Sequence, residues 1–195
     1  MNSREKVLEA IRKNKPADTA LPSLNHSGKS GAGLLAAFTD TLARIGGVYE
    51  EVDGYEPINA YLLEKKGVRV INAIKELRDC DINEFINTSA GDLENVNTYF
   101  VKGTIAIAEN GGIWVTEKNM GNRLLPFLCE QLVIVIEEKD IVYNMHEAYE
   151  NITINEEGYG LFIAGPSKTA DIEQSLVVGA HGPLGLQVFI IKNKN

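Results

Sequence analysis

The run Leu132-Val133-Ile134-Val135-Ile136, bounded by Gln131 and Glu137, constrains this chain more than any other feature. A strand with one wet face alternates apolar and polar residues, whereas five consecutive apolar residues fit a strand covered on both faces. The run therefore reads as a strand in the middle of a sheet. Shorter strand patterns occur at residues 48–52, 68–71, 99–101, 104–108, 113–116, 161–164 and 186–191, and Asn110-Gly111-Gly112 supplies a tight hairpin connection between two of them.

Helical patterns lie between these strands. Ser3 fits the cap of a helix reaching Asn14, with Val7, Leu8 and Ile11 on one stripe. A second helix spans 33–45 and stops at Gly46-Gly47; a third begins near Pro57 and is closed by Gly67. Brief helices are expected within 72–97, near 122–130 and at 143–149, and residues 169–178 read as the helix that follows the strand at 161–164. Alternating helices and strands indicate an α/β layered sheet.

A chain of 195 residues accommodates one sizeable core. Residues 16–31 are rich in Pro, Ser, Asn and Gly, so the division expected is an N-terminal helix and extended arm, 1–31, followed by one α/β domain, 32–195. The net charge of -8, with Lys and Arg scattered, argues against a nucleic-acid partner. No run approaches the roughly 20 apolar residues of a membrane span, and the first residues are not an apolar signal core, so a cytoplasmic location is expected. Cys80 and Cys129 stand 49 positions apart without CxxC spacing, and His26, His146 and His181 share no ligand spacing. Neither a metal nor an iron-sulfur cluster is expected on this chain. The glycines match neither the dinucleotide fingerprint nor the phosphate loop of NTPases.

Two turns carry the candidate chemistry. Gly165-Pro166-Ser167, with Thr169 and Asp171 after it, would join a strand to a helix whose free N–H groups attract a carboxylate or phosphate. The same residues also fit an ordinary helix cap, with Ser167 or Thr169 capping and Asp171 and Glu173 complementing the helix dipole. Glu109, before Asn110-Gly111, would project its carboxylate from a sharp turn as a nucleophile or general base. His181, next to Gly182, could shuttle a proton or bind an anionic substrate; a histidine there also fits a turn bonded to backbone.

Three segments, AIAENGGIWV at 106–115, RLLPFL at 123–128 and GPSKTADIEQSLVVGAHGP at 165–183, together resemble the LUD-domain family that includes lactate-utilisation protein C. The likeness is strong over 93–191 and general before that. It implies a three-layer α/β sandwich with a mixed central sheet, similar to the superfamily of sugar-phosphate isomerases and CoA transferases. It also implies a cluster-free accessory or substrate-binding subunit in a system that oxidises L-lactate to pyruvate. The iron-sulfur clusters would sit on A-type and B-type partner proteins, while this chain binds a small carboxylate or other anion and no cofactor. Homo-oligomerisation fits the same picture. Within that resemblance the substrate would contact Asn110, Gly111, Gly165, Pro166, Ser167, Thr169, Asp171 and Gly182, with Glu109 and His181 as catalytic candidates. The Glu109-Asn110-Gly111 turn is further similar to the one carrying the acylated glutamate of CoA transferases, which makes an acyl or CoA transferase the alternative. A non-catalytic assembly module is the third reading.

Overall fold

A computed structural model of the chain describes residues 2–17, 19, 33–80, 82–153, 158–170, 176–179 and 181–193. The first helix, α1 (Ser3–Asn14), is capped by Asn2, one residue earlier than expected. The Asn2 side chain accepts from the Glu5 N–H at 2.9 Å while the Glu5 carboxylate accepts from the Asn2 N–H at 3.0 Å. That reciprocal box satisfies two N–H groups at once.

Helix α2 (Leu34–Arg44) buries Phe38 and Leu42 and ends where Gly46 turns to φ +92°. Strand β1 (Val48–Val52), helix α3 (Tyr55–Glu64, with Pro57 in its first turn) and strand β2 (Val70–Asn72) follow. The two short helices α4 (Ile82–Phe85) and α5 (Ala90–Leu93), the latter capped by Ser89, then lead into strand β3 (Thr98–Lys102). Strands β4 (Ile105–Ile107) and β5 (Ile113–Thr116) form the expected hairpin, with Ile105 opposite Trp114.

After α6 (Glu117–Met120) and α7 (Leu125–Leu128) comes β6 (Gln131–Glu137), the apolar run. It is the middle strand of a five-stranded sheet of order β1-β11-β6-β3-β2, where β11 is Gly185–Ile191, and every pairing in that sheet is parallel. Side chains alternate between the two faces of a strand. Leu132, Ile134 and Ile136 join Tyr99, Val101, Val188 and Ile190 on the face toward α2, while Val133 and Val135 join Phe100, Phe189 and Val52 against Ile58 of α3. Burial of each such side chain stabilises the fold by about 1.5–3 kcal/mol.

A second sheet, order β7-β4-β5-β8, adds β7 (Ile141–Val142) and β8 (Gly160–Ile163). It mixes parallel and antiparallel pairs, so the mixed character expected of the central sheet resides here instead. Ala106, Ile113 and Val115 face the central sheet's core, while Ile105, Ile107 and Trp114 pack under Ala148 of α8 (Met145–Glu150). The result is a three-layer α/β arrangement: α3, the parallel sheet, and a layer shared by α2 and the second sheet, with α8 on its outside.

The helix expected at 169–178 is not found at the described residues of that range. Residues 168–170 and 176–178 are instead the strands β9 (Lys168–Ala170) and β10 (Leu176–Val178), paired antiparallel with Lys168 opposite Val178. A helix would hold those two residues about 15 Å apart. The Gly179 N–H, at φ +82°, donates to the Ser167 carbonyl at 3.1 Å and draws the two ends together. Asp171 and Glu173 lie outside the described residues.

Candidate functional site

Both candidate turns lie at the amino end of the parallel sheet, against the last turn of α2. The pairing of Ile113 with Ile163 sets the Glu109–Gly112 turn beside the residues that follow β8. Gly111 (φ +71°) and Gly165 (φ +81°) both approach Ile45 so closely that a Cβ on either would lie 2.7 Å from it, at the side chain and the carbonyl respectively. The Lys168 ammonium donates to the same Ile45 carbonyl. Glycine is needed at these two positions to let the turns grip the end of α2.

Ser167 links the second turn to the segment before β11. Its N–H donates to the Pro183 carbonyl at 2.9 Å, and Gly182 comes so near that an added Cβ would lie 3.1 Å from the Ser167 Cβ. Ser167, Lys168, His181 and Gly182 therefore line one cleft of about 280 Å³, with Phe127, Phe162 and Pro166 among its apolar walls. Ser167 is half-buried and His181 exposed. Residues 168–170 form β9 where the start of a helix was expected, so that helix does not supply its N-terminus to this cleft. The backbone of Thr169 runs in β9 opposite Val177.

Glu109 does not line this cleft. Its exposed carboxylate accepts from the Met145 N–H at 3.3 Å, the first residue of α8, while Asn144 caps that helix by accepting from the Glu147 N–H at 3.0 Å. The Asn110 side chain accepts from the Gly112 N–H at 2.8 Å and so closes its own turn. Glu109 and Asn110 thus have structural tasks, satisfying a helix terminus and a tight turn.

The opposite, carboxyl end of the sheet holds a charged constellation that sequence reasoning did not single out. Lys102, ending β3, donates to the Tyr55 hydroxyl at 3.2 Å and to Glu76 and Glu137 at 3.3 Å each; Lys139 bonds the other oxygen of Glu137 at 2.5 Å. Burial opposes the charge on Lys102, but its bonds to Tyr55 and Glu76 outweigh that and raise its pKa. The amine stays protonated at neutral pH and acts as a donor hub, not a nucleophile. Lys139, ahead of Lys102, holds the Glu137 carboxyl below the ordinary carboxylate value. A cavity of about 650 Å³ opens beside this hub between Asp53, Tyr55, Glu137, Lys139 and Lys192. The signal that could have found it is positional: Tyr55, Lys102 and Glu137 all fall at or just after the ends of parallel strands, where open α/β sheets gather ligand sites.

Cys80 is half-buried and Cys129 buried, with burial pushing the Cys129 thiol up to about 12. Among the described residues, no group of three or more His, Cys, Asp or Glu could hold a metal ion, and no helix is long and apolar enough to cross a membrane.

This layering of a parallel five-stranded sheet, a mixed second sheet and covering helices defines a class of α/β protein with solved relatives. A crystal structure of a DUF162 family protein from Deinococcus radiodurans at 1.70 Å superposes with a TM-score of 0.62, covering 82% of this chain and 97% of that one at 21% identity. The family model described as the LUD domain matches residues 2–191, and the chain belongs to the LUD-domain family. Among curated proteins it is similar to lactate utilization protein C of Geobacillus kaustophilus, 32% identical over 114 residues, which is 55% of this chain and 47% of that protein. The protein of the same name from Bacillus pumilus is 35% identical over 94 residues, 45% of this chain and 39% of that one. The chain thus spans about half the length, or less, of these curated relatives.

Proposed function

We propose that this protein serves lactate utilisation as a cluster-free accessory subunit, binding the hydroxy acid for partner proteins that carry the iron-sulfur clusters. Family membership and the name shared by its curated relatives support the process. The observation that carries the binding role is the convergence of Ser167 and His181, from two separate turns, on one cleft with Lys168 beside them. The apolar walls suit a short aliphatic body, and the hydroxyl, ammonium and imidazole suit a carboxylate.

Transfer of electrons from lactate requires a redox centre, so oxidation belongs to the partners and this chain supplies binding and orientation. Exposed Leu124, Phe127 and Leu184 lie beside the cleft in the chain and give such a partner an apolar surface to cover. Cytoplasmic residence follows from that assignment.

Calorimetric titration with L-lactate tests the reading. Saturable binding is expected, weakened roughly 10-fold or more by Ser167→Ala or His181→Ala, since a hydrogen bond to a charged group is worth about 1.5–3 kcal/mol. Affinity unchanged in both variants, or no binding to the wild type, would remove the cleft from the account.

A further inference from the structure

Three neighbouring strands of the parallel sheet end level with one another. In register, Val52 of β1 stands beside Ile191 of β11, and Ile191 beside Glu137 of β6. From there the chain leaves for opposite faces. After β1 it turns to α3, on the face of Val133, Val135 and Phe189; after β6 it turns to β7 of the second sheet, on the face of Ile134 and Ile136. Connections that part in this way open a crevice over the strand ends, the place where open α/β sheets hold ligands. The cavity of about 650 Å³ occupies that crevice, above the end of β11.

The charges that line it are sorted by element. Asp53 and Glu56 belong to the passage from β1 into α3, whereas Lys139 and Lys192 follow β6 and β11. Glu137 is already bonded through both oxygens, one to Lys102 and the other to Lys139. The Tyr55 hydroxyl accepts from the Lys102 ammonium, so its own O–H proton is directed away from that bond and is left to donate. Burial, ahead of the opposing bond from Lys102, raises the Tyr55 pKa and keeps that proton in place at neutral pH. The bonds from Tyr55 through Lys102 and Glu137 to Lys139 group the phenol and the Lys139 ammonium as two donors for one oxyanion. An anion alone would also face Asp53 and Glu56, and a cation alone would face the lysines. A molecule that carries both charges answers both walls.

We infer that this cavity binds a zwitterionic amino acid with an apolar side chain. The Tyr55 O–H and Lys139 receive its carboxylate, and Asp53 and Glu56 receive its ammonium. Its side chain lies over half-buried Ile191 and the methylene stem of Lys192. The site stands at the end of the sheet opposite the Ser167 cleft and does not depend on the lactate reading.

Calorimetric titration of the full chain with L-leucine reads the outcome, and saturable binding is expected. Isocaproate and isoamylamine keep the leucine side chain but lack the ammonium and the carboxylate respectively. Each should bind roughly 10-fold or more weakly, because each forfeits hydrogen bonds to a charged group. Asp53→Asn with Glu56→Gln should weaken leucine binding by a similar factor, and so should Tyr55→Phe with Lys139→Met, each variant keeping the circular dichroism of the wild type. Excess L-lactate should leave leucine binding unchanged, which separates this site from the Ser167 cleft. No binding of leucine, equal affinity for the two singly charged analogues, affinity unchanged in both variants, or displacement by lactate would each overturn the inference.

Discussion

Gly165 and Gly67 have nearly the same left-handed backbone, φ +81° and +85°, yet their surroundings differ completely. A Cβ at 165 would lie 2.7 Å from the Ile45 carbonyl oxygen, and at 67 it would meet nothing within 4 Å. Gly67→Ala should therefore cost only the conformational penalty of about 1–2 kcal/mol. Gly165→Ala should cost that plus the displacement of α2, a further ~1–3 kcal/mol. Urea denaturation of both variants checks the ranking, and equal losses would mean that the turn does not grip α2. Glu109 allows a similar test. If its role is to satisfy the Met145 N–H, Glu109→Ala should raise amide exchange in the first turn of α8 and cost about 1 kcal/mol. It should leave lactate affinity untouched, because Glu109 lies outside the cleft of Ser167 and His181.

The elements best read from sequence are those whose residues suffice to define them. The apolar run of β6 and the Asn110-Gly111-Gly112 hairpin depend on burial pattern and on φ +71° at Gly111, both written locally. The 169–178 segment misleads because Thr169, Asp171 and Glu173 sit where a helix N-terminus would want them. What overrides them is a bond between distant backbone groups, from Gly179 to Ser167, which no local pattern reports. The cleft was partly legible, since Ser167, His181 and Gly182 belong to one motif. The Lys102 hub was not, because Tyr55, Glu76, Lys102 and Glu137 each look like solitary charges or a surface aromatic until parallel strands bring their ends together.

That hub makes stability depend on pH at both extremes. Lys102 has its pKa raised from 10.5, so its stabilisation is complete below about pH 10.5 and is lost as the pH climbs through the higher folded value. Glu137 has its pKa lowered from 4.5, so its contribution is complete above about pH 4.5 and is lost as the pH falls through the lower folded value. The stability difference between wild type and Lys102→Met should stay level from about pH 6 to 9.5 and shrink beyond about 10.5. The difference from Glu137→Gln should instead shrink on the acid side. Curves parallel to wild type at both ends would show that the hub is not formed.

At the scale of the molecule, the amino end of the sheet holds a modest cleft with an apolar surround and the carboxyl end holds a larger cavity beside the Lys102 hub, lined by Tyr55, Glu137 and Lys139. The amino end offers the cleft of Ser167 and His181 together with exposed Phe127 and Leu184. The decisive comparison for the proposed role is the rate of L-lactate oxidation by the iron-sulfur proteins proposed as partners, with and without this chain. Oxidation should rise severalfold when the wild type is added and fall back when Ser167 and His181 are both replaced by alanine. An unchanged rate on adding the wild type would contradict its place in lactate utilisation.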